Sequence, residues 1–139
     1  MQRNEITWQA GGQQGEGLES LGAILASVLS RQGYYLYGFR QFSSRIKGGH
    51  TNYKIRIATQ PVGTLNKQCD LLIALDQDTL VNEALALGEN GIILAEKAIA
   101  DVYTGKAKLL AVPFNDIAKQ YGTILQKNIV ALGCTAAIF

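Results

Sequence analysis

Residues 43–57, SSRIKGGHTNYKIRI, combine the residue types that bind anions in proteins. The first part of the segment combines two cations, two adjacent glycines and the single histidine of the chain: Arg45, Lys47, Gly48, Gly49 and His50. The glycines allow the backbone to approach a ligand closely because they have no side chain. The histidine can donate a hydrogen bond or change its charge near neutral pH, although a lone histidine is more often structural. The segment therefore predicts a site for a phosphate or a carboxylate.

A second glycine-rich segment, GGQQGEG at residues 11–17, lies between a predicted strand and a predicted helix. In α/β folds that bind nucleotides, backbone N–H groups and the helix N-terminus receive a phosphate at this position. Gly12, Gly15 and Gly17 are the candidate binding residues. The spacing differs from the dinucleotide fingerprint because Ser20 stands where a glycine or an alanine is required, and no Lys-Ser/Thr pair forms a P-loop. The alternative is a tight turn that lets the next helix pack close to the sheet.

Charge is unevenly distributed along the chain, although the formal net charge is only +2. From Ser20 to Cys69 there is no aspartate or glutamate. The cations of that stretch are Arg31, Arg40, Arg45, Lys47, Lys54, Arg56 and Lys67. From Asp70 onward, eight acids outnumber five lysines. This asymmetry predicts one electropositive face for phosphate groups, nucleic acid or an acidic protein surface, with a solvated edge as the open alternative.

The two cysteines, Cys69 and Cys134, are too few for a zinc site or an iron–sulfur cluster, which need about four ligands each. Neither belongs to a C-x-x-C pair. We expect both to be buried free thiols, so that any redox centre must lie on another chain.

The first half of the chain predicts a strand, a helix and two more strands. The predicted strands are Glu5–Ala10, Tyr34–Phe39 and Thr51–Thr59. Apolar residues with helical spacing predict a helix over Leu18–Gln32, which Gly33 ends. Gly22 and Ala26 on this helix favour close packing against the sheet. In the third strand, the cations fall on one face and the apolar side chains on the other.

The second half alternates strands that are buried on both faces with helices. Its predicted strands are residues 69–76, 91–96 and 107–114, the last one ended by Pro113. Its predicted helices are residues 77–88, 115–122 and 127–139. The first of these has Asp78 or Thr79 near its start and Gly88 at its end, and Asn115 or Asp116 caps the second. The 139 residues thus predict one α/β domain, a Rossmann-like three-layer sandwich with a mostly parallel or mixed sheet.

The chain contains no run of about 18 apolar residues, and its first residues lack the apolar core of a secretory signal. We therefore expect a cytoplasmic protein that does not enter a membrane. The apolar last helix reaches Phe139 without a capping residue or a turn signal. It either docks on a partner or belongs to a polypeptide that continues, and we expect the second.

Four segments occur in an order that is itself a pattern: QAGGQQGEGLESLGAILA, FSSRIKGGHTNYKIRIAT, DLLIALD and KNIVALG. In this order they resemble the gamma domain of the 2-oxoacid:ferredoxin oxidoreductases, over about residues 5–135. The GGH form is most similar to the gamma part at the N-terminus of the fused alpha subunit in 2-oxoglutarate- and pyruvate-type enzymes. The resemblance implies a single gamma-type domain, residues 1–139, that continues into a further domain or a partner.

The resemblance also implies a role within a complex. Members of the family convert a 2-oxoacid and coenzyme A to acyl-CoA and carbon dioxide and pass two electrons to ferredoxin. Thiamine diphosphate with magnesium and iron–sulfur clusters carry this chemistry on other components, so this chain alone binds none of them and holds no catalytic residue. It contributes to the assembly of a hetero-oligomer with the alpha and beta components, and to the substrate and coenzyme A side of the site.

The binding residues that the resemblance implies coincide with the two glycine-bearing segments. They are Gly12, Gly15, Gly17, Arg45, Lys47, Gly48, Gly49 and His50. Lys47 stands where the family commonly has arginine, which keeps the charge but loses the bidentate geometry of a guanidinium. A stand-alone phosphate- or nucleotide-binding module without catalysis is the alternative function. Nucleic-acid binding is disfavoured because the net charge is small and no nucleic-acid motif accompanies the cations.

Overall fold

The computed structural model describes residues 4–13, 17–42, 50–64, 68–122 and 127–138, which form a six-stranded sheet with helices on both faces. The strands are β1 (Glu5–Gln13), β2 (Tyr35–Phe42), β3 (His50–Ala58), β4 (Cys69–Ala74), β5 (Leu87–Glu96) and β6 (Lys108–Val112). The helices are α1 (Leu18–Arg31), α2 (Gln77–Asn82), α3 (Phe114–Tyr121) and α4 (Lys127–Ile138), with short 3₁₀ helices at Ala84–Ala86 and Lys97–Val102. The predicted α/β class is confirmed.

The sheet is mixed, with the strand order β2-β3-β1-β4-β5-β6. Strands β1, β4, β5 and β6 run parallel to their neighbours in this group, whereas β3 is antiparallel to both β1 and β2. The sheet therefore has a parallel half, typical of α/β folds, and an antiparallel half. Because β1 and β3 run in opposite directions, the carboxyl end of β1 lies beside the amino end of β3.

Side chains alternate between two hydrophobic clusters, one on each face of the sheet. On the first face, Trp8 and Leu71 pack beneath residues of α1, α3 and α4. On the second face, Leu72 packs with Leu80 of α2. Since successive residues of β4 contribute to opposite clusters, the prediction of a strand buried on both faces is confirmed for β4. It is wrong for β6, which lies at the edge of the sheet and leaves Leu110 40% exposed.

Helix α1 ends before Gly33, as predicted, and it packs closely against the sheet, as predicted. Gly33 has a φ of +92°, a left-handed conformation that favours glycine, and its N–H donates to the carbonyl of Ser30 at 3.1 Å. Gly22 faces β3, and a Cβ atom built on it would lie 2.9 Å from the ring of Tyr53. The predicted close packing of this helix at Gly22 is therefore confirmed.

Helix α2 is shorter than predicted. It ends at Asn82 and does not continue to Gly88, because Leu87 packs against the second cluster and β5 begins there. Its N-cap is Asp76, whose side chain accepts a hydrogen bond from the N–H of Thr79 at 2.9 Å. The prediction of a helix reaching Gly88 is therefore wrong, and Gly88 lies in a strand.

Helix α3 begins one residue earlier than predicted because Phe114 is fully buried in the first cluster. Pro113 occupies the N-cap position and offers no side-chain cap. The carboxylate of Glu96, at the end of β5, instead accepts a hydrogen bond from the N–H of Asn115 at 3.1 Å. The prediction of Asn115 or Asp116 as the cap is wrong, since the capping group comes from another element.

Helix α4 confirms the predicted last helix over Lys127–Ile138, and it packs on α1 and α3. Ala131 is fully buried, whereas Ile129 is largely exposed. Within the described ranges, none of the helices has both the length and the apolarity that crossing a membrane requires.

Candidate functional site

The end of β1 and the start of β3 lie side by side, at the points where the chain enters or leaves the two glycine-bearing segments. In the antiparallel register, Gly12 pairs with Thr51 and Gln13 pairs with His50. The chain leaves β1 toward α1 at Gln13 and enters β3 at His50. The fold thus brings the ends of both sequence-predicted segments to one edge of the sheet.

The described part of the chain contains three of the predicted site residues. Gly12 is buried inside β1 and does not lie in a turn, because the pairing with β3 extends β1 to Gln13. Gly17 is the N-cap of α1 with a left-handed φ of +78°, and its carbonyl accepts a hydrogen bond from the N–H of Leu21 at 3.0 Å. His50 is described only in its backbone. Outside the described residues lie Gly15, Arg45, Lys47, Gly48 and Gly49.

Two cations between Ser20 and Cys69, the stretch without aspartate or glutamate, form ion pairs with glutamates that precede this stretch in sequence. Arg40 of β2 forms an ion pair with Glu19 in the first turn of α1. Arg56 of β3 donates through Nε to Glu5 Oε2 of β1 at 2.7 Å, and its Nη2 lies 2.6 Å from the same oxygen. Folding therefore balances charges that the sequence separates. The predicted electropositive face is weakened at these two positions.

Close contact between β1 and α2 requires a glycine just before the strand end. A Cβ atom on Gly11 would lie 2.4 Å from Oγ1 of Thr79, whose side chain is fully buried. The N–H and the hydroxyl of Thr79 both donate to Oδ1 of Asp76, so this side chain cannot easily move aside. Packing against α2 explains Gly11, whereas the tight-turn alternative concerned the packing of α1 and is not tested by this contact.

A polar cluster beneath the strand ends was not predicted from the sequence. Gln9 of β1 is 1% exposed, and its Nε2 donates to Oδ1 of Asn52 at 2.9 Å and to Oε2 of Glu83 at 2.8 Å. Strand alternation places Gln9 on the face opposite Trp8 but does not show what it meets. The only indication in the sequence was Gln9 itself, an amide side chain within a predicted strand that is otherwise largely apolar.

Both cysteines are free thiols, as predicted, but only Cys69 is fully buried. Burial raises the pKa of Cys69 to about 12, outweighing the nearby Lys54, which lowers it. Burial also raises the pKa of the partly exposed Cys134. Neither is therefore an activated thiolate. In the part of the chain that the structure describes, no group of three or more His, Cys, Asp and Glu residues could hold a metal ion.

The raised pKa of Cys69 predicts a loss of stability at alkaline pH. The unfolded thiol loses its proton near 9.0, whereas the folded thiol keeps it up to about 12, so the folded state binds one more proton in this window. The free energy of unfolding then falls as pH rises through it, by up to about 1.4 kcal/mol per pH unit from this group. Urea unfolding at several pH values from 8 to 11 measures how steeply the free energy of unfolding falls with pH. Cys69→Ala should make this fall less steep, and Cys134→Ala should change it less. An equally steep fall in the wild type and in Cys69→Ala would contradict the prediction.

The family model for POR, pyruvate ferredoxin/flavodoxin oxidoreductase, matches residues 7–139. The chain belongs to this family. It is 33% identical over 75 residues to the 2-oxoacid:ferredoxin oxidoreductase subunit alpha of Sulfolobus sp. That match covers 54% of this chain but only 12% of the relative, so the chain spans a small part of that subunit's length.

Two solved structures of family proteins share the fold. The gamma subunit of a keto/oxoacid ferredoxin oxidoreductase from Geobacter sulfurreducens PCA has a TM-score of 0.84 and 27% identity, over 97% of this chain and 76% of that one. A 2-oxoglutarate:ferredoxin oxidoreductase from Magnetococcus marinus, with 2-oxoglutarate, coenzyme A and succinyl-CoA bound, has a TM-score of 0.84 and 22% identity, over 95% of this chain and 24% of that one. The gamma-domain resemblance seen in the sequence motifs is confirmed.

Proposed function

We propose that this chain is the gamma domain of a thiamine diphosphate-dependent 2-oxoacid:ferredoxin oxidoreductase. The complex converts a 2-oxoacid and coenzyme A to acyl-CoA and carbon dioxide and passes two electrons to ferredoxin. The family match over residues 7–139 carries the proposal. Within the complex, the domain contributes to assembly and to the substrate and coenzyme A side of the site.

The geometry of the strand ends supports a binding role at that side. The chain leaves β1 at Gln13 and enters β3 at His50, and these two residues are direct partners across the strands. A ligand that bound at this edge would lie beside both strand ends, Gln13 of β1 and His50 of β3. Phosphates and carboxylates suit backbone N–H groups and nearby cations, and both substrates of the proposed reaction are anionic.

An iron–sulfur cluster, one of the cofactors of the proposed complex, does not fit this chain. A cluster needs about four cysteine thiolates, whereas this chain has two cysteines in all, and Cys69 is fully buried. On the family resemblance, we assign thiamine diphosphate, magnesium and the iron–sulfur clusters to the alpha and beta components. When bound there, they supply the carbon–carbon cleavage and the electron transfer, and this chain binds and orients.

Anaerobic purification of the tagged chain together with its natural partners tests the proposal. The complex should contain thiamine diphosphate and iron, and it should oxidise a 2-oxoacid with methyl viologen as acceptor only when coenzyme A is present. Pyruvate, 2-oxoglutarate and branched 2-oxoacids, assayed in parallel, identify the substrate. A preparation of the partners without this chain is the control and should lose the coenzyme A-dependent activity. Recovery of a colourless protein without partners would instead favour a stand-alone phosphate-binding module.

A further inference from the structure

One buried side-chain amide joins the two strands that form the edge of the candidate site to the helix beneath them. The Nε2 atom of Gln9 in β1 donates to Asn52 in β3 at 2.9 Å and to Glu83, which follows α2, at 2.8 Å. Both protons of this nitrogen are used in these two hydrogen bonds. Three elements are therefore linked through a single atom that is out of contact with solvent.

The two hydrogen bonds explain the nitrogen of this amide, but packing does not explain its oxygen. Among the described residues, Oε1 of Gln9 is buried and has no hydrogen-bond partner. Its neighbour in the parallel strand is Leu72, which belongs to the second hydrophobic cluster. A methionine at position 9 would extend that apolar surface and remove the unpaired Oε1, but it would leave Oδ1 of Asn52 and Oε2 of Glu83 without this donor. A buried polar group that weakens packing is expected where function decides the residue.

The hydrogen bonds of this amide define how β1 lies against β3 and α2. Asn52 is the direct cross-strand partner of Gly11, close to the end of β1. A shift of one residue between the two strands would turn Asn52 to the opposite face of the sheet and break its bond to Gln9. Glu83 holds the same amide from the side of α2. The cluster thus resists both a register shift and a lateral movement of the strand end.

We propose that Gln9, Asn52 and Glu83 are positioning residues for anion binding at this edge. They hold the backbone at Gln13 and His50 in the arrangement that binds the phosphate or carboxylate of a substrate, without touching the substrate themselves. The inference rests on the proposed function, and it adds to it the residues that set substrate affinity. Because the atoms that react lie on other components, the cluster acts on binding and leaves the chemical step unchanged.

Gln9→Met in the assembled complex tests the inference, because it removes the polar atoms while keeping the length of the side chain. We expect the KM for coenzyme A or for the 2-oxoacid to rise about tenfold, since small displacements of binding groups have large effects, with kcat nearly unchanged. Measuring both KM values shows which anion the edge binds. Hydrogen exchange should become about fivefold faster or more at the amides next to Gln13 and His50, with β5 and β6 unaffected. Thermal stability should decrease, because Asn52 and Glu83 lose their donor, so the wild type and the variant are both assayed well below the melting temperature.

Thr7→Val is the matched control. Thr7 is fully buried on the same face of β1, and its Oγ1 has no hydrogen-bond partner within the described residues, so valine also removes a buried polar atom. This variant should keep the wild-type KM values and exchange rates.

Glu83→Leu provides a second variant at the rim of the cluster and should reproduce the effects of Gln9→Met. Wild-type KM values and exchange in Gln9→Met, or equal changes in Thr7→Val, would overturn the inference. A wild-type complex without activity would overturn the proposed function instead, and the exchange rates would still decide the positioning role.

Discussion

Trp8→Ala should lower the free energy of unfolding by about 3–5 kcal/mol, the range for removing a large buried aromatic side chain. Trp8 is fully buried in the first cluster, between β1 and the helices on that face. Its indole Nε1 donates to Oγ1 of Thr135 in α4 at 3.3 Å, and that hydroxyl donates to the carbonyl of Ala131 at 3.0 Å. The substitution therefore opens a cavity and also removes the polar link between the central sheet and the last helix.

Equilibrium unfolding in urea, followed by far-UV circular dichroism, measures this loss, because the variant lacks the single tryptophan needed for fluorescence. Trp8→Phe separates the two causes, since it fills most of the cavity but removes the indole N–H. Thr135→Val removes only the hydrogen bond and should lower the free energy of unfolding by about 1–3 kcal/mol, because it leaves the indole N–H buried without a partner. A loss below about 1 kcal/mol for Trp8→Ala would show that this face of the sheet is not the main core.

Features that depend on neighbouring residues could be predicted from the sequence. Helix α1 ends as its pattern indicates, because Gly33 permits a left-handed turn wherever the helix lies in the fold. Strand β4 could also be predicted, because a short apolar run bounded by polar residues is typical of a strand buried on both faces. The order of the motifs then identified the family, which no single motif could have done.

Features that depend on distant residues could not be predicted. The cap of α3 comes from Glu96, 19 residues before Asn115, and the polar cluster joins Gln9 to residues 43 and 74 positions away. The length of β1 was missed for the same reason, since Gly12 extends the strand only because β3 lies beside it. Periodicity describes the faces of one element, whereas these contacts depend on which elements become neighbours.

Gly11→Ala should lower the free energy of unfolding by about 1–3 kcal/mol, because the methyl group overpacks a rigid contact. The new Cβ would lie 2.4 Å from Oγ1 and 2.5 Å from Cγ2 of Thr79. The loss should shrink in a Thr79→Ala background, where both atoms are absent. A double-mutant cycle in urea measures this coupling, which we expect to be favourable and above about 0.5 kcal/mol for residues in direct contact.

Gly133→Ala is the control, because it adds the same methyl group in the opposite environment. Gly133 lies inside α4 with nothing within 4 Å of its Cβ position, so alanine should raise the free energy of unfolding by about 0.5–1 kcal/mol. Gly22→Ala in α1 gains the same helical preference, but its Cβ would lie 2.9 Å from the ring of Tyr53, which opposes that gain. The order of stability should therefore be Gly133→Ala, then Gly22→Ala, with Gly11→Ala lowest because it has the tightest contact and no helical gain. If Gly11→Ala proved as stable as Gly133→Ala, the close approach of α2 to β1 would be disproved, and Gly11 would need an explanation other than packing.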